Sequence, residues 1–430
     1  MYNDFDFFIN IYMEKLIVCG GQKLNGVVEL QASKNAVLPI LSASLIVEDK
    51  VALTRVPNIS DVEHMIQILC SLGSAVSFDG EGVVVDNRAC HPNLIECSLV
   101  KSMRSSIFLL GSMLARFKYF NLSSPGGCRI GARPIDLHIK AFKKLGVKIA
   151  GVGEQLFFDA SNSKPSIVHL KIPSVGVTEN IVQFASTLKG KTTIYNAARE
   201  PEVVDLCNFL NSCGANIIGA GTNKITINGV DRLQGTRYTP MSDRIVEGTI
   251  LLAVAGCGGD VIIKNACGEV NLSLIKKLSS MGCQIQIKND IIHIISSSRL
   301  KNLKETHTGF YPDFATDLQS LFVPVCAKSK GKTKIHERVF ENRFLIVDEL
   351  KKMGAEIVKQ KNNSILILGD NTLFGAKVRA QDLRGGAALV IAALLAEGES
   401  EISDIHYIDR GYEKIEKLFL SLGAKIERET

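Results

Sequence analysis

The sequence predicts an α/β protein of two similar domains, each built from three copies of one sheet-and-helix unit. The chain has 430 residues, more than a single hydrophobic core usually serves. Apolar residues make up 46% and charged residues 22%, which is typical of a globular protein. One pattern recurs six times along the chain, and six copies divide most simply into two domains of three.

Each copy contains an amphipathic helix that a glycine ends and a strand follows, as in DVEHMIQILCSLGSAV and GYEKIEKLFLSLGAKI. A glycine suits that place because the residue after a helix often adopts the left-handed conformation. The glycines recur at intervals of 68 to 73 residues, which is long for an open solenoid scaffold. They are Gly73, Gly146, Gly214, Gly282, Gly354 and Gly423.

Each copy also contains a more apolar helix, such as SSIFLLGSML or AALVIAALLA, and then a short strand. Helices that are apolar all round are buried in cores, whereas an amphipathic helix buries one face. We therefore expect the apolar helix of each copy to be buried and the amphipathic helix to be half-exposed.

Composition argues against several classes of protein. The net charge of +6 is too small to predict nucleic-acid binding. The longest apolar run, residues 387–396, is about half the length of a membrane span. Residues 1–12 lack the basic start and cleavage site of a signal peptide, so we interpret them as an N-terminal extension. They are either a disordered tail or a stretch that precedes a true start at Met13.

The eleven cysteines form no C-x-x-C pair, and the eight histidines are isolated in the sequence. This pattern favours reduced thiols in a cytoplasm, most of them packed as small apolar residues. It predicts neither a resident metal ion nor a cofactor.

The segment SSPGGCRIGARP, residues 123–134, carries the most distinctive cysteine. Cys128 follows two glycines and precedes Arg129 and Arg133. Nearby cations lower the pKa of a thiol, which suits a reactive group on a mobile loop. A free cysteine on a surface loop is the alternative, and the residues alone leave both interpretations open.

Basic residues recur at the ends of predicted elements. Lys34 and Asn35 lie where a strand gives way to a helix, a place that attracts anions, although a solvated lysine also fits there. Asp317 begins another helix, where it either interacts with the helix dipole or acts as a general base. Arginines hold carboxylate and phosphate groups bidentately. Those at loops or helix starts are Arg104, Arg133, Arg343, Arg384 and Arg410.

These motifs together resemble those of the enolpyruvyl transferases, from Met13 to the C-terminus. Those that match in order and spacing include KNAVLP, KSMRSSIFLLGSMLAR, PGGCRIGARPIDLH, PSVGVTENI, DFATDLQS, DLRGGAALV and HYIDRGYEKIE. The resemblance implies two inside-out α/β barrel domains that close on substrate. It places residues 13–33 with 242–430 in a discontinuous first domain, and 34–241 in an inserted domain that carries the Cys128 loop.

The implied activity is that of the family branch that acts on UDP-N-acetylglucosamine. That branch transfers the enolpyruvyl group of phosphoenolpyruvate to the sugar 3-hydroxyl and releases phosphate, the first committed step of peptidoglycan precursor synthesis. We expect a cytoplasmic monomer that needs no cofactor or metal and binds neither nucleic acid nor membrane.

Three alternatives remain open at this point. The first is the sister activity on 3-phosphoshikimate, whose enzymes lack the loop cysteine. The second is a non-catalytic repeat protein that binds nucleotide sugars. The third is a thiol redox sensor at Cys128, which the lack of a nearby resolving cysteine disfavours.

The resemblance also implies roles for individual residues. Cys128 matches the proton donor to the enolpyruvyl methylene, and Asp317 matches the base. Lys34, Arg133 and Arg410 match contacts to phosphoenolpyruvate, with Arg104 nearby, and we add Arg343 to the substrate-binding set. Asp382, Leu383 and Arg384 match a site that couples closure to ligand. The matches to nucleotide-sugar contacts are Asn35, Arg133, Pro134, Ile135, Asp136, Leu137, Pro173, Ser174, Val175, Gly176, Asp317 and Val339.

Three positions depart from the family pattern. Ala32 stands where the family has a glycine, Ile172 replaces an occasional lysine, and Ala315 replaces a proline two residues before Asp317. The last change predicts that the base is less rigidly presented.

Overall fold

The structure is a computed structural model that describes residues 14–78, 81–91, 107–123, 135–152 and 155–429. Within these residues, strands β1–β23 form six sheets, and twelve α-helices accompany them. The predicted α/β class is confirmed. None of the helices in the described part of the chain is long and apolar enough to cross a membrane.

Three sheets are built from the chain between residues 50 and 238. The first has the order β13 (Thr236–Tyr238), β3 (Lys50–Thr54), β5 (Gly82–Asp86), β4 (Ala75–Phe78). The second has the order β6 (Tyr119–Ser123), β8 (Gln155–Asp159), β7 (Lys148–Val152). The third has the order β11 (Asn216–Ile218), β12 (Lys224–Gly229), β10 (Gly190–Tyr195), β9 (Ile167–His169).

The other three sheets are built from the second half of the chain, and two of them also contain a strand from near its start. The fourth has the order β15 (Gln284–Lys288), β16 (Ile291–Ser296), β14 (Gly259–Lys264), β2 (Leu24–Glu29). The fifth has the order β17 (Glu305–His307), β18 (Lys332–His336), β20 (Ser364–Leu368), β19 (Glu356–Gln360). The sixth has the order β21 (Lys377–Arg379), β22 (Glu399–Ser403), β1 (Lys15–Cys19), β23 (Lys425–Glu429).

The apolar helices are buried, as predicted, and they pack against one another inside each half. A glycine allows one of these contacts, since a Cβ on Gly111 would lie 2.4 Å from the backbone oxygen of Asn180. The buried helices are α1 (Lys34–Ser44), α3 (Leu109–Phe117), α5 (Val175–Ala185), α7 (Arg244–Cys257), α9 (Thr316–Lys328) and α11 (Leu383–Leu395).

The amphipathic helices alternate with the buried ones along the chain and lie half-exposed. All six predicted glycines follow them and have φ between 82° and 119°, the left-handed region that only glycine adopts at little cost. The amphipathic helices are α2 (Ser60–Ser71), α4 (Asp136–Lys144), α6 (Pro201–Ser212), α8 (Leu272–Met281), α10 (Val347–Lys352) and α12 (Ile415–Leu420).

Buried apolar residues form two separate cores. One contains residues of segments 16–30 and 245–426, and the other contains residues of segment 32–233. The chain passes between the cores twice, and the two passages run side by side. Ser33 donates its backbone N–H to the Met241 oxygen at 2.7 Å, and Asp243 donates to the Gln31 oxygen at 3.0 Å.

Candidate active site

Two helix N-termini meet where the chain passes between the cores. Asp243 caps α7 because its Oδ1 atom accepts the backbone N–H groups of Ile245 and Val246 at 2.8 and 3.0 Å. Its Oδ2 atom accepts the backbone N–H of Lys34, the first residue of α1, at 3.1 Å. One carboxylate therefore fixes the start of both helices, and the positive ends of their dipoles point to the same region.

The side chain of Lys34 belongs to an ion-pair cluster that joins the two halves. Its Nζ atom lies 3.1 Å from Asp61 Oδ2, and Arg410 donates from Nε to Asp61 Oδ1 at 2.9 Å. Asp61 lies in the first turn of α2, whereas Arg410 precedes α12. The predicted phosphoenolpyruvate contacts Lys34 and Arg410 are thus brought together, and Asp61 is the residue that joins them.

Burial and charge oppose each other in this cluster, which we call the Asp61 cluster (Lys34, Asp61, Arg410). Burial raises the pKa of Asp61, but the charges of Lys34 and Arg410 outweigh it and hold that pKa below its ordinary value. Burial lowers the pKa of Lys34, Asp61 opposes that effect, and the guanidinium groups of Arg384 and Arg410 add to it. The ionised cluster carries one net positive charge.

A second cluster surrounds Asp317, near the start of α9. Arg343 donates from Nη2 to Asp317 Oδ1, and Arg384 donates from Nη2 and Nε to Oδ2 at 2.9 and 3.2 Å. The two arginine side chains are almost completely buried, at 3% and 4% exposure. We call this group the Asp317 cluster (Asp317, Arg343, Arg384), and it too carries one net positive charge.

Neighbouring groups hold the arginines of the Asp317 cluster in place. Asp382 caps α11 by accepting the backbone N–H groups of Arg384 and Gly385, both at 2.9 Å. The Arg384 guanidinium also lies 5.9 Å from the centre of the buried Tyr412 ring. Leu383, the first residue of α11, is buried.

The arginines decide the ionisation of Asp317. Burial raises its pKa, but the charges of Arg384 and Arg343 act more strongly and hold the pKa far below its ordinary value. Lys34 contributes to the same lowering, so the Asp61 and Asp317 clusters lie within electrostatic reach of each other. Both clusters therefore attract anions to one region between the two halves.

Two predicted nucleotide-sugar segments meet in the inserted half. Ile135 and Asp136 begin α4, and Ser174 to Gly176 begin α5. A Cβ on Gly176 would lie 3.5 Å from His138 Nε2, so His138 packs directly against the start of α5. Burial lowers the pKa of His138 to about 4. Asp136 pairs with Lys140 at 3.2 Å on the surface, and Leu137 is half-buried.

Cavities of about 240 and 350 Å³ lie between the halves. Both are lined by Pro173, Arg199 and Phe310, and the larger one also by Val339. Arg199 donates to the Tyr311 backbone oxygen at 3.0 Å and thereby crosses the gap. Pro173 and Val339, predicted from distant motifs, consequently face the same space.

The arrangement agrees with what comparison with known proteins finds. The family model described as EPSP synthase (3-phosphoshikimate 1-carboxyvinyltransferase) matches residues 18–419. A protein of Caldanaerobacter subterraneus subsp. tengcongensis, named UDP-N-acetylglucosamine 1-carboxyvinyltransferase 2, is 45% identical over 416 residues. The matched region covers 97% of this chain and 100% of that protein. The chain belongs to the enolpyruvyl transferase family.

Other members of the family agree in sequence and in fold with this enolpyruvyl transferase. The protein of Staphylococcus aureus (strain N315) named UDP-N-acetylglucosamine 1-carboxyvinyltransferase 1 is 41% identical, with 97% of this chain and 99% of that protein covered. The crystal structure of the enolpyruvyl transferase NikO from Streptomyces tendae superposes with a TM-score of 0.88 at 22% identity, covering 97% of this chain and 99% of that one. EPSP synthase from Acinetobacter baumannii superposes with a TM-score of 0.74 at 19% identity, covering 97% of this chain and 100% of that one. The structural likenesses show the shared fold.

Part of the predicted site of this enolpyruvyl transferase lies outside the described residues, namely Arg104, Cys128, Arg133 and Pro134. Among the described residues, sequence reasoning missed Asp61, His138 and Asp243. Asp61 carried no signal beyond a carboxylate in the first turn of a helix. The described cysteines are free thiols, and six of these nine are buried, as predicted. Burial raises the pKa of several, that of Cys207 to about 12, which makes them unreactive.

Proposed function

We propose that this enolpyruvyl transferase transfers the enolpyruvyl group of phosphoenolpyruvate to the 3-hydroxyl of UDP-N-acetylglucosamine and releases phosphate. The observation that carries the proposal is the similarity over 97% of the chain, at 45% and 41% identity, to proteins named for that activity. The charged groups between the two halves support it, because both substrates are anions.

Phosphoenolpyruvate fits the Asp61 cluster. Its phosphate and carboxylate need several cations, and Lys34 and Arg410 are held side by side by one buried carboxylate. Fixed cations in a site without water stabilise anions more strongly than solvated ones, and they need no reorganisation during the reaction. Arg133 and Arg104, outside the described residues, are proposed to complete this subsite.

UDP-N-acetylglucosamine fits the space between α4, α5 and the loop that carries Val339. Asn35 and the starts of α4 and α5 are proposed to bind it, and Pro173 and Val339 line the adjoining cavity. Arg343 and Arg384, the two arginines of the Asp317 cluster, are proposed to interact with its diphosphate. Each of these two guanidiniums has one buried nitrogen, Arg343 Nε and Arg384 Nη1, without a partner among the described residues.

The proposed reaction has an addition step and an elimination step. In the addition, the Cys128 thiol gives its proton to the methylene carbon of phosphoenolpyruvate, and the sugar 3-oxygen bonds to the adjacent carbon as its proton passes to Asp317. In the elimination, the methyl group returns a proton to the Cys128 thiolate, the carbon–carbon double bond forms again, the bond to the phosphate oxygen breaks, and the proton on Asp317 leaves with the phosphate. An acid and a base acting on opposite partners are what such an addition requires.

The low pKa of Asp317 constrains how it acts as the base. A carboxylate whose charge is held by two arginines has little affinity for a proton. A substrate diphosphate that takes over part of the hydrogen bonding of Arg343 and Arg384 raises that affinity. We propose that Asp317 becomes a competent base only when the nucleotide sugar is bound, which prevents reaction with water alone.

We propose further that the two cores are two domains, residues 13–33 with 242–430 and residues 34–241, and that residues 382–384 couple their closure to ligand. The change of core between Leu30 and Ala32 and between Leu233 and Ile245 supports these boundaries. We also propose that the protein is a monomer and that it is cytoplasmic, and the free thiols of the described cysteines support the cytoplasmic location.

A phosphate-release assay with phosphoenolpyruvate tests the proposal by comparing UDP-N-acetylglucosamine with shikimate 3-phosphate as acceptor. We expect release with the nucleotide sugar only. Lys34→Ala should raise the KM for phosphoenolpyruvate, whereas Lys359→Ala, which removes an exposed lysine paired with Asp348, should leave it unchanged. Phosphate release with shikimate 3-phosphate but not with the nucleotide sugar, or no release with either acceptor, would contradict the proposal.

A further inference from the structure

Three side chains that can bind a metal ion lie together at the ends of two neighbouring strands of the fifth sheet. Strands β17 and β18 are parallel, with His307 directly opposite His336 and Glu305 opposite Lys334. Since side chains alternate between the faces of a sheet, Glu305, His307 and His336 share one face. The intervening Thr306 and Ile335 are buried, so that shared face is the outer one.

The distances within this group suit a single ion. The His307 and His336 rings stack with centres 4.5 Å apart and planes 20° apart. The Glu305 carboxylate lies 3.6 Å from His307 Nε2 and 3.8 Å from His336 Nε2. One ligand atom from each residue lies within 4.8 Å of the others. Ligand atoms around a tetrahedral ion with bonds of about 2.1 Å are about 3.4 Å apart, so the two rings must rotate out of their stacked arrangement for the ligand atoms to converge on one ion.

We propose that Glu305, His307 and His336 form a binding site for one divalent transition-metal ion of the Zn²⁺ or Ni²⁺ type. Two imidazoles and one carboxylate are a ligand set that such ions prefer, and water supplies the remaining positions. The side chains are 55%, 33% and 22% exposed, respectively, so an ion can enter from solvent.

The alternative is a simple ion pair between Glu305 and a protonated histidine. At 3.6 and 3.8 Å, the carboxylate is too far from either ring for a hydrogen bond. Moreover, His307 Nδ1 is buried and has no hydrogen-bond partner among the described residues. The Glu305 carboxylate is therefore not committed to either ring and is available to an ion.

An ion at this site would connect two loops of the cleft. Residues 308–313 follow β17 and residues 338–339 follow β18, and both stretches contribute to the cavity of about 350 Å³. The loops already contact each other, because Arg338 donates its backbone N–H to Thr308 Oγ1 at 2.9 Å. Bound metal would fasten them and so restrict the proposed nucleotide-sugar subsite. This consequence rests on the proposed function, whereas metal binding itself does not.

Calorimetric titration of the full chain with NiCl₂ tests the site. We expect one bound ion in the wild-type protein and at least about tenfold weaker binding in His336→Ala and in Glu305→Gln. His293→Ala is the matched control. His293 also pairs with a carboxylate, that of Asp260 at 2.7 Å, but it lies on another sheet and the pair contains no second histidine. Its affinity should equal that of the wild type.

X-ray absorption of the nickel-loaded protein should show imidazole ligands, and circular dichroism without metal should show that each variant is folded. If His336→Ala fails to fold, Glu305→Gln still tests the site, since the Glu305 side chain is more than half exposed. Sulfur ligands to the nickel, affinities in the folded variants equal to that of the wild type, or an equal loss of affinity in His293→Ala would overturn the proposal.

Discussion

Replacing Asp61 by asparagine removes the charge that holds Lys34 and Arg410 together while keeping the shape of the side chain. The Asp61 and Lys34 side chains are only 5% and 10% exposed, so the lysine is left buried beside Arg410 without a counter-charge. Removing one partner of a buried pair costs about 3–5 kcal/mol. Since Arg410 is 41% exposed and solvent screens its share, we expect the lower end, about 3 kcal/mol.

The same change should alter catalysis in a characteristic way. We expect kcat/KM for phosphoenolpyruvate to fall by about 10- to 100-fold, because about 1.4–2.8 kcal/mol of fixed positioning is lost. Asp61 raises the pKa of Lys34 against the effect of burial, so the alkaline limb of the pH–rate profile should move to lower pH in the variant. Steady-state phosphate release measured across a pH series reports both quantities.

Inhibition by inorganic phosphate distinguishes the effect of the positions of Lys34 and Arg410 from the effect of their charge. The net charge of the Asp61 cluster rises from +1 to +2 in Asp61→Asn, so competitive inhibition by phosphate should stay equal or strengthen while turnover falls. Asp348→Asn, which removes an exposed carboxylate paired with Lys359, is the control and should change neither quantity. An Asp61→Asn variant with unchanged kcat/KM and an unshifted alkaline limb would refute the reasoning.

Three further predictions concern other groups of the protein. Asp317→Asn should lower turnover by at least about 100-fold, because an amide does not act as a base. Calorimetry should show that this variant still binds the nucleotide sugar, and full turnover would exclude Asp317 as the base. Cys128→Ala should abolish or greatly slow phosphate release at neutral pH, whereas Cys128→Asp should keep part of it, since a carboxyl group also donates a proton; an inactive Cys128→Asp would count against simple acid catalysis. The pKa of His138 is about 4 in the folded protein and about 6.5 in the unfolded chain. Between these pH values the unfolded chain therefore binds more protons than the folded protein. The free energy of unfolding should consequently fall by up to about 3 kcal/mol as the pH decreases from 6.5 to 4. Urea unfolding over that pH range should show a smaller decline in the free energy of unfolding for His138→Gln than for the wild type. An equal decline in both proteins would contradict a lowered pKa for His138.

The repeat was predictable because it depends on local chemistry. The glycines after the amphipathic helices are required by a backbone conformation, and the burial of helices such as α11 follows from side chains that are apolar all round. The strand pairings were less accessible to residue-level reasoning. That β1 lies between β22 and β23, near the opposite end of the chain, depends on contacts separated by about 380–410 positions.

A site residue could be predicted where its own residue type indicates its chemistry, but not where only its neighbours in the fold indicate it. Lys34 and Arg410 are visible as cations at element ends, but Asp61 becomes significant only through the fold that places both beside it. Ala315 predicted a loosely presented Asp317, yet the carboxylate is hydrogen-bonded by two buried arginines. His307 and His336 appeared isolated because a helix separates their strands in the sequence, while parallel pairing makes them neighbours.

A crystal structure of the protein with phosphoenolpyruvate and UDP-N-acetylglucosamine bound tests the central claim most directly. The account predicts phosphoenolpyruvate oxygens within hydrogen-bond distance of Lys34 and Arg410, the sugar 3-hydroxyl against Asp317, and the Cys128 sulfur above the methylene carbon. Phosphoenolpyruvate bound away from the Asp61 cluster, or a Cys128 sulfur remote from it in the complex with both ligands, would contradict the account.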